Sequence, residues 1–163
     1  MKRATAAAFL LAVLVVSVAQ AGTFKIEISK PPVSITVPDD WSPNRSEDEV
    51  DGVSPDSSVS FLLYDTQAKD LASAGGDAIN VLTKNGMKVE RGATQTKAGT
   101  LAGRAATETQ YSASEDDQPR QVNLAVALVS GKRHLVFVRW GTSEGLRKNA
   151  PALKKIVDSI TVK

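Results

Sequence analysis

The sequence predicts an α+β fold: an α/β/α sandwich on a central antiparallel sheet, with one internal helix and one C-terminal helix. Three observations carry this. Segments 122–129 and 135–140 are apolar at successive positions, as strands covered on both faces are. Ser130-Gly131-Lys132 joins them as a hairpin turn, so the two strands run antiparallel. Two apolar helical stripes, one internal and one terminal, suffice to cover both faces of such a sheet.

The first twenty-one residues precede that domain. Lys2 and Arg3 form a positive region, an apolar run extends from about Ala6 to Val18, and Ala19-Gln20-Ala21 follows. Positive start, apolar centre and small-x-small end make a secretory signal peptide, with cleavage expected between Ala21 and Gly22. The apolar run is shorter than the roughly twenty residues that span a bilayer. No second long apolar run follows. The chain has no cysteine, and lipid attachment at a cleavage site needs one. The expected product is one domain, 22–163, periplasmic or secreted, without a membrane anchor and held together without disulfides.

Within 22–163 the elements can be justified in turn. Phe24, Ile26 and Ile28 alternate with Lys25, Glu27 and Ser29, the period of a half-buried strand. Pro31-Pro32 interrupts it. Val33, Ile35 and Val37 form a second strand that ends at Pro38. The polar stretch 39–57, with Pro43, Gly52 and Pro55, reads as a long loop. An apolar strand occupies 59–64. Asp65 or Thr66 then caps a helix running to about Asn85, whose apolar stripe is Leu71, Ala74, Ala78, Val81 and Leu82. Gly75-Gly76 inside it implies a close approach to the sheet or a kink, and Asn85-Gly86 ends it. A strand is expected over 87–96, a turn over 99–103, and a strand over 104–112. Glu115-Asp116-Asp117-Gln118-Pro119 is a hairpin loop leading into the two central strands. Pro151 suits the first turn of the last helix, and Leu153, Ile156, Val157 and Ile160 are its inner face. Thr161-Val162 is a short closing strand.

Loss of Lys2 and Arg3 leaves 18 positive residues against 18 carboxylates. A near-neutral chain has no overall attraction to nucleic acid or anionic lipid. The charges are unevenly placed. From Asp39 to Asp77 ten carboxylates face only Arg45 and Lys69, whereas from Ala78 onward positive residues outnumber negative ones two to one. Either the halves interleave on one surface, or the protein carries a dipolar surface that steers a charged partner.

Three segments, in this order, resemble the superfamily of the photosystem subunit PsbP and the bacterial periplasmic protein DcrB. Ile35-Thr36-Val37-Pro38-Asp39-Asp40-Trp41 is similar to the strand, proline and tryptophan near the start of such domains. Thr100-Leu101-Ala102-Gly103-Arg104-Ala105-Ala106 is similar to their turn into a long hairpin, and Ile156-Val157-Asp158-Ser159-Ile160 to their closing helix and serine. The resemblance covers nearly all of 22–163. It implies an accessory or binding domain without catalysis. DcrB-like proteins are often lipid-anchored, and this chain lacks the cysteine for that. No functional residue carries over, because there is no catalytic motif to match.

The partial motifs point the same way. Gly141-Thr142-Ser143-Glu144-Gly145 fits the G-x-S-x-G elbow of serine hydrolases, yet no histidine follows Ser143. His134 precedes it on a strand, on the order of 25 Å away at about 3.3 Å per residue. With one histidine and no cysteine, a structural zinc site, which needs several such ligands, is not expected. Glu47-x-Glu49-x-Asp51-Gly52 echoes half a calcium loop, but Ser58 stands where the bidentate glutamate belongs. No catalytic residue, metal or cofactor is expected. The reading is an exported, non-catalytic domain acting through contact with another exported or membrane-associated protein, with no nucleic-acid partner. The candidate contact is the 39–57 loop: Trp41, Glu47, Asp48, Glu49 and Asp51. The alternative is a small-molecule carrier with a pocket between sheet and helix. A serine hydrolase around Ser143 comes last.

Overall fold

Alternation and turn chemistry place the most apolar segments of the chain at the middle of a sheet. A computed structural model describes residues 21–26, 32–47 and 49–163. In chain order they form β1 (Ala21–Ile26), β2 (Val33–Pro38), a 3-10 turn (Asp39–Trp41), β3 (Asn44–Arg45), β4 (Glu49–Val53) and β5 (Val59–Gln67). Next come α1 (Leu71–Lys84), β6 (Lys88–Val89), β7 (Gln95–Leu101), β8 (Arg104–Glu115), β9 (Gln118–Ser130) and β10 (Arg133–Gly141). The chain closes with α2 (Ser143–Lys148), α3 (Ala150–Asp158) and β11 (Thr161–Val162).

Among the described residues the strands make two sheets. The larger is eight-stranded in the order β3-β4-β5-β10-β9-β8-β6, with β7 also pairing β8. Its pairs are antiparallel throughout. The smaller sheet is β1-β2-β11. Two-residue turns set the long hairpins. Ala102-Gly103 and Asp116-Asp117 both take left-handed backbone angles, the conformation whose twist matches paired strands.

β10 lies between β5 and β9, so both its edges are paired, and apolar layers cover both its faces. Leu135 and Phe137 point into one apolar layer with Val33, Ile35, Leu153 and Ile156. Val136 and Val138 point into another with Ala74, Ala78 and Leu82. The central sheet is thus covered by α1 on one face, and by α3 with the small sheet on the other. Ser159 ties the second cover together: its Oγ accepts from the Thr36 N–H at 2.9 Å and donates to the Ile156 carbonyl at 2.7 Å.

Several boundaries differ from expectation. The stretch 39–57 is not a loop. It holds the 3-10 turn and the β3–β4 hairpin, and Val50, fully buried, packs β4 against β5. The internal helix does not begin at Asp65 or Thr66. β5 continues through them because Arg133 and His134 of β10 pair with Gln67 and Thr66, and Asp65 forms a buried ion pair with Arg133. Asp70 caps α1 instead, accepting from the Ser73 N–H at 2.8 Å. Leu71 is largely exposed. A Cβ on Gly75 would lie 3.3 Å from Leu124 Cδ2, so that glycine reflects close approach to the sheet; Gly76 has nothing within 4 Å. The expected strand 87–96 is broken. Gly92 at φ +91° interrupts it between β6 and β7, and β7 runs on through Gly99. The C-terminal helix is two helices meeting at Asn149. Residues 1–20, including most of the leader, and Ile28 lie outside the described residues.

Candidate functional site: an acidic groove beside α1

Along β4 the pleat sends Val50 into the core below β3–β5 and turns Glu49 and Asp51 to the α1 side, opposite Tyr64 and Leu62 of β5. A cavity of about 250 Å³ opens there. Its apolar lining is Leu62, Val81, Leu82, Met87 and Trp140. Glu49 and Asp51 border it from β4 and Glu115 from the end of β8. Asp51 accepts from the Asn44 side-chain amide at 3.1 Å, which steadies it across the hairpin. Glu115 pairs with Arg120 at 3.1 Å. Among the described residues the Tyr64 hydroxyl has no hydrogen-bond partner, and it is shielded from solvent. Burial, then the charges of Asp77 and Glu49, hold its pKa above the ordinary phenol value. Glu49 and Asp51 make the β4 side of this region negative, while Glu115 is balanced by Arg120, over a floor that is aromatic and aliphatic. Such a site suits a cation on an apolar stem: a lysine or arginine side chain can lay its methylenes on the floor and its charge among carboxylates or over the indole.

The sequence-predicted contact residues separate. Glu49 and Asp51 meet at the groove. Glu47 is exposed in the β3–β4 turn, where the Ser46 N–H donates to the Glu49 carbonyl, and Asp48 lies outside the described residues. Trp41 lies away from the groove. The 3-10 turn swings its indole into the opposite core, 2 % exposed, with its ring centre 6.0 Å from that of Phe61. The tryptophan at the groove is Trp140, half-buried at the end of β10. The signal for it was parity: Trp140 falls on the face of Val136 and Val138, which α1 covers only in part.

The far end of the predicted loop is fastened elsewhere. Asp56 accepts from Ser54 Oγ and Ser58 Oγ, each at 2.7 Å, and from Lys148 Nζ at 2.8 Å. These bonds, Lys148 first, hold its carboxyl far below the usual carboxylate range. The nearby G-x-S-x-G segment has no hydrolase geometry. Thr142, not Ser143, is engaged there, its Oγ1 accepting from the Gly145 N–H as the cap of α2. His134 is buried at the other end of β10 with Nδ1 2.9 Å from the Lys132 carbonyl oxygen. Among the described residues no group of three or more His, Cys, Asp or Glu could hold a metal ion, and no helix is long and apolar enough to cross a membrane.

No family model and no curated protein matches the sequence. The fold does have solved counterparts. Cyanobacterial PsbP (CyanoP) from Synechocystis sp. PCC 6803 superposes with a TM-score of 0.61 at 13 % identity, covering 94 % of this chain and 99 % of that one. LpqN of Mycobacterium tuberculosis, described as involved in cell envelope biogenesis, gives 0.55 at 18 % identity over 88 % of this chain and 91 % of that one. The Saccharomyces cerevisiae Ran-binding protein Mog1p gives 0.54 at 12 % identity over 88 % and 96 %. At these identities the likeness is one of fold. The PsbP-like fold implied by the three sequence segments is present across nearly the whole chain.

Proposed function

We propose that this protein is an exported, non-catalytic accessory domain that binds a basic segment of another exported or membrane-associated protein at the groove beside α1. The observation that carries the reading is the convergence of Glu49 and Asp51 on one apolar-floored cavity with Trp140, whose third carboxylate, Glu115, is shared with Arg120. The leader pattern supports export. The fold shared with CyanoP, LpqN and a Ran-binding protein shows that this scaffold occurs in proteins of very different setting, which favours a surface-borne function over a fixed active site. Rim carboxylates chiefly set association rate and its salt dependence, while a buried aromatic anchor sets residence time. The test is capture of a partner from exported proteins by the immobilised protein, followed by kinetics with that partner. Joint Glu49→Gln and Asp51→Asn should slow association and flatten its dependence on salt, and Trp140→Ala should speed dissociation. A doubly neutralised protein that folds normally and associates at the wild-type rate at every salt concentration would move the contact elsewhere.

A further inference from the structure

Arg139 is the one cation inside the apolar run of β10, and it faces away from the groove. Register aligns it with Phe61 of β5 on one side and with Asn123 of β9 and Gln110 of β8 on the other. The next row along the same face is Phe137, Ala125, Glu108 and Lys97. Together with Val157 of α3 these two rows enclose a cavity of about 100 Å³, open to solvent at one side. It lies between sheet and helix.

Charge and donor chemistry define what this cavity accepts. Lys97 and Glu108 pair with each other at 3.2 Å, so the two cancel. Asn123 Oδ1 accepts from the Gln121 side-chain amide at 3.2 Å, which leaves the Asn123 amide nitrogen as a donor. Arg139 is half-buried, and burial lowers its pKa although Glu108 opposes this. No hydrogen bond or ion pair engages its guanidinium among the described residues. A half-buried guanidinium whose donors meet no protein acceptor can take an anion as their partner. With Lys97 and Glu108 cancelled, the cavity carries one net positive charge, which matches a monoanion better than a phosphate dianion. The planar guanidinium fork matches the two oxygens of a carboxylate. A cavity of about 150 Å³ holds a benzene ring, so this one takes a carboxylate with a short aliphatic tail.

We propose that the cavity binds a small aliphatic monocarboxylate, its oxygens on Arg139 with Asn123 and Gln110 donating beside it, and its tail against Phe137 and Val157. The same chemistry is available from a free acid or from the C-terminal carboxylate of a peptide. NMR titration of the isotope-labelled protein with butyrate, butyramide, inorganic phosphate, and a short aliphatic peptide with a free or an amidated C-terminus separates these. Butyrate should give saturable millimolar shifts centred on the amides of Glu108, Gln110, Asn123, Ala125, Phe137 and Arg139, with butyramide and phosphate at least tenfold weaker. Tighter binding by the free-terminus peptide than by butyrate, with the amidated peptide inert, would assign the carboxylate to a protein terminus and sustain the site. Arg139→Met should abolish the shifts, and Gln110→Ala, at a half-buried position of β8, should weaken them severalfold while the unbound spectrum stays native. Equal binding of butyrate and butyramide, no saturable response to any carboxylate, or shifts elsewhere would overturn the proposal. Neutralising Glu49 and Asp51 should leave butyrate binding unchanged, so this result stands apart from the groove.

Discussion

A Cβ built on Gly141 would lie 2.3 Å from the Ser58 carbonyl oxygen, and one on Gly145 would lie 2.6 Å from Ser58 Oγ. The glycines of the serine-hydrolase-like pentapeptide are therefore there to let β10 and α2 close on the Ser54–Ser58 turn. Gly141→Ala is expected to lower stability by about 1–3 kcal/mol, the range for forcing atoms into a packed site, whereas exposed Ser143→Ala should stay within about 0.5 kcal/mol of wild type. Urea unfolding of the two variants checks both values, and stoichiometric labelling of Ser143 by a fluorophosphonate would contradict the reading. The same turn supplies a pH dependence. The Asp56 carboxyl titrates below its unfolded value because Lys148, Ser58 and Ser54 hold the charged form. Its contribution is therefore complete above the ordinary aspartate pKa of about 3.9 and is lost progressively as pH falls below that. Lys148 is raised by the same bond, so its share persists through neutral pH and disappears only in strong alkali. The carboxylate is exposed, and solvent screening keeps the effect small. Stability measured from pH 6 downward should fall less steeply in Asp56→Asn than in wild type over the acid limb; parallel curves would show that the cluster contributes nothing.

Among the elements, the β9–β10 hairpin anchors both apolar layers. Leu124, Val126, Leu135 and Phe137 are all 3 % exposed or less. The Phe137 ring stacks on Phe61 with centres 5.8 Å apart. Phe137→Ala should cost roughly 3–5 kcal/mol, as for other buried phenylalanines, and a loss below about 1 kcal/mol in chemical denaturation would show the layer tolerates the void. This hairpin was legible in the sequence because its signal is local: two doubly apolar runs and a glycine turn. The start of α1 was not. Asp65 looks like a cap until Arg133, far along the chain, pairs with it inside the sheet. The β3–β4 hairpin was hidden for the same kind of reason, since one buried valine among carboxylates and prolines reads as loop until β5 is placed beside it. The groove was half legible. Acidic density pointed to Glu49 and Asp51, but which aromatic and which further carboxylate join them depends on strand register, and register put Trp140 and Glu115 there and buried Trp41. Arg139 did leave a local trace, a cation in an apolar run, whose meaning needed the facing rows of β7, β8 and β9.

For the whole molecule, the proposed export would turn a precursor into a shorter domain. Processing between Ala21 and Gly22 would remove two positive charges and leave 18 of each sign, so attraction to a partner must come from local arrangement such as the groove rather than from net charge. The cut would fall after the first residue of β1, before Gly22, which faces Val37 across the small sheet and whose N–H donates to Asp39 Oδ1 at 2.9 Å. Cleavage would turn that amide into an ammonium already facing a carboxylate. The resulting exposed pair adds little to stability, but it gives the new terminus a place beside β2 rather than a strand with an unmatched charge. Intact-mass measurement of the exported protein should therefore give a chain starting at Gly22. Asp39→Asn should leave the cleavage site unchanged, since the peptidase reads Ala19 and Ala21, while lowering the pKa of the new α-amino group, measurable by its reactivity toward an acylating reagent across pH. A product that keeps Met1 would refute export by this leader, and an α-amino group indifferent to Asp39 would show that the terminus leaves the sheet once it is cut.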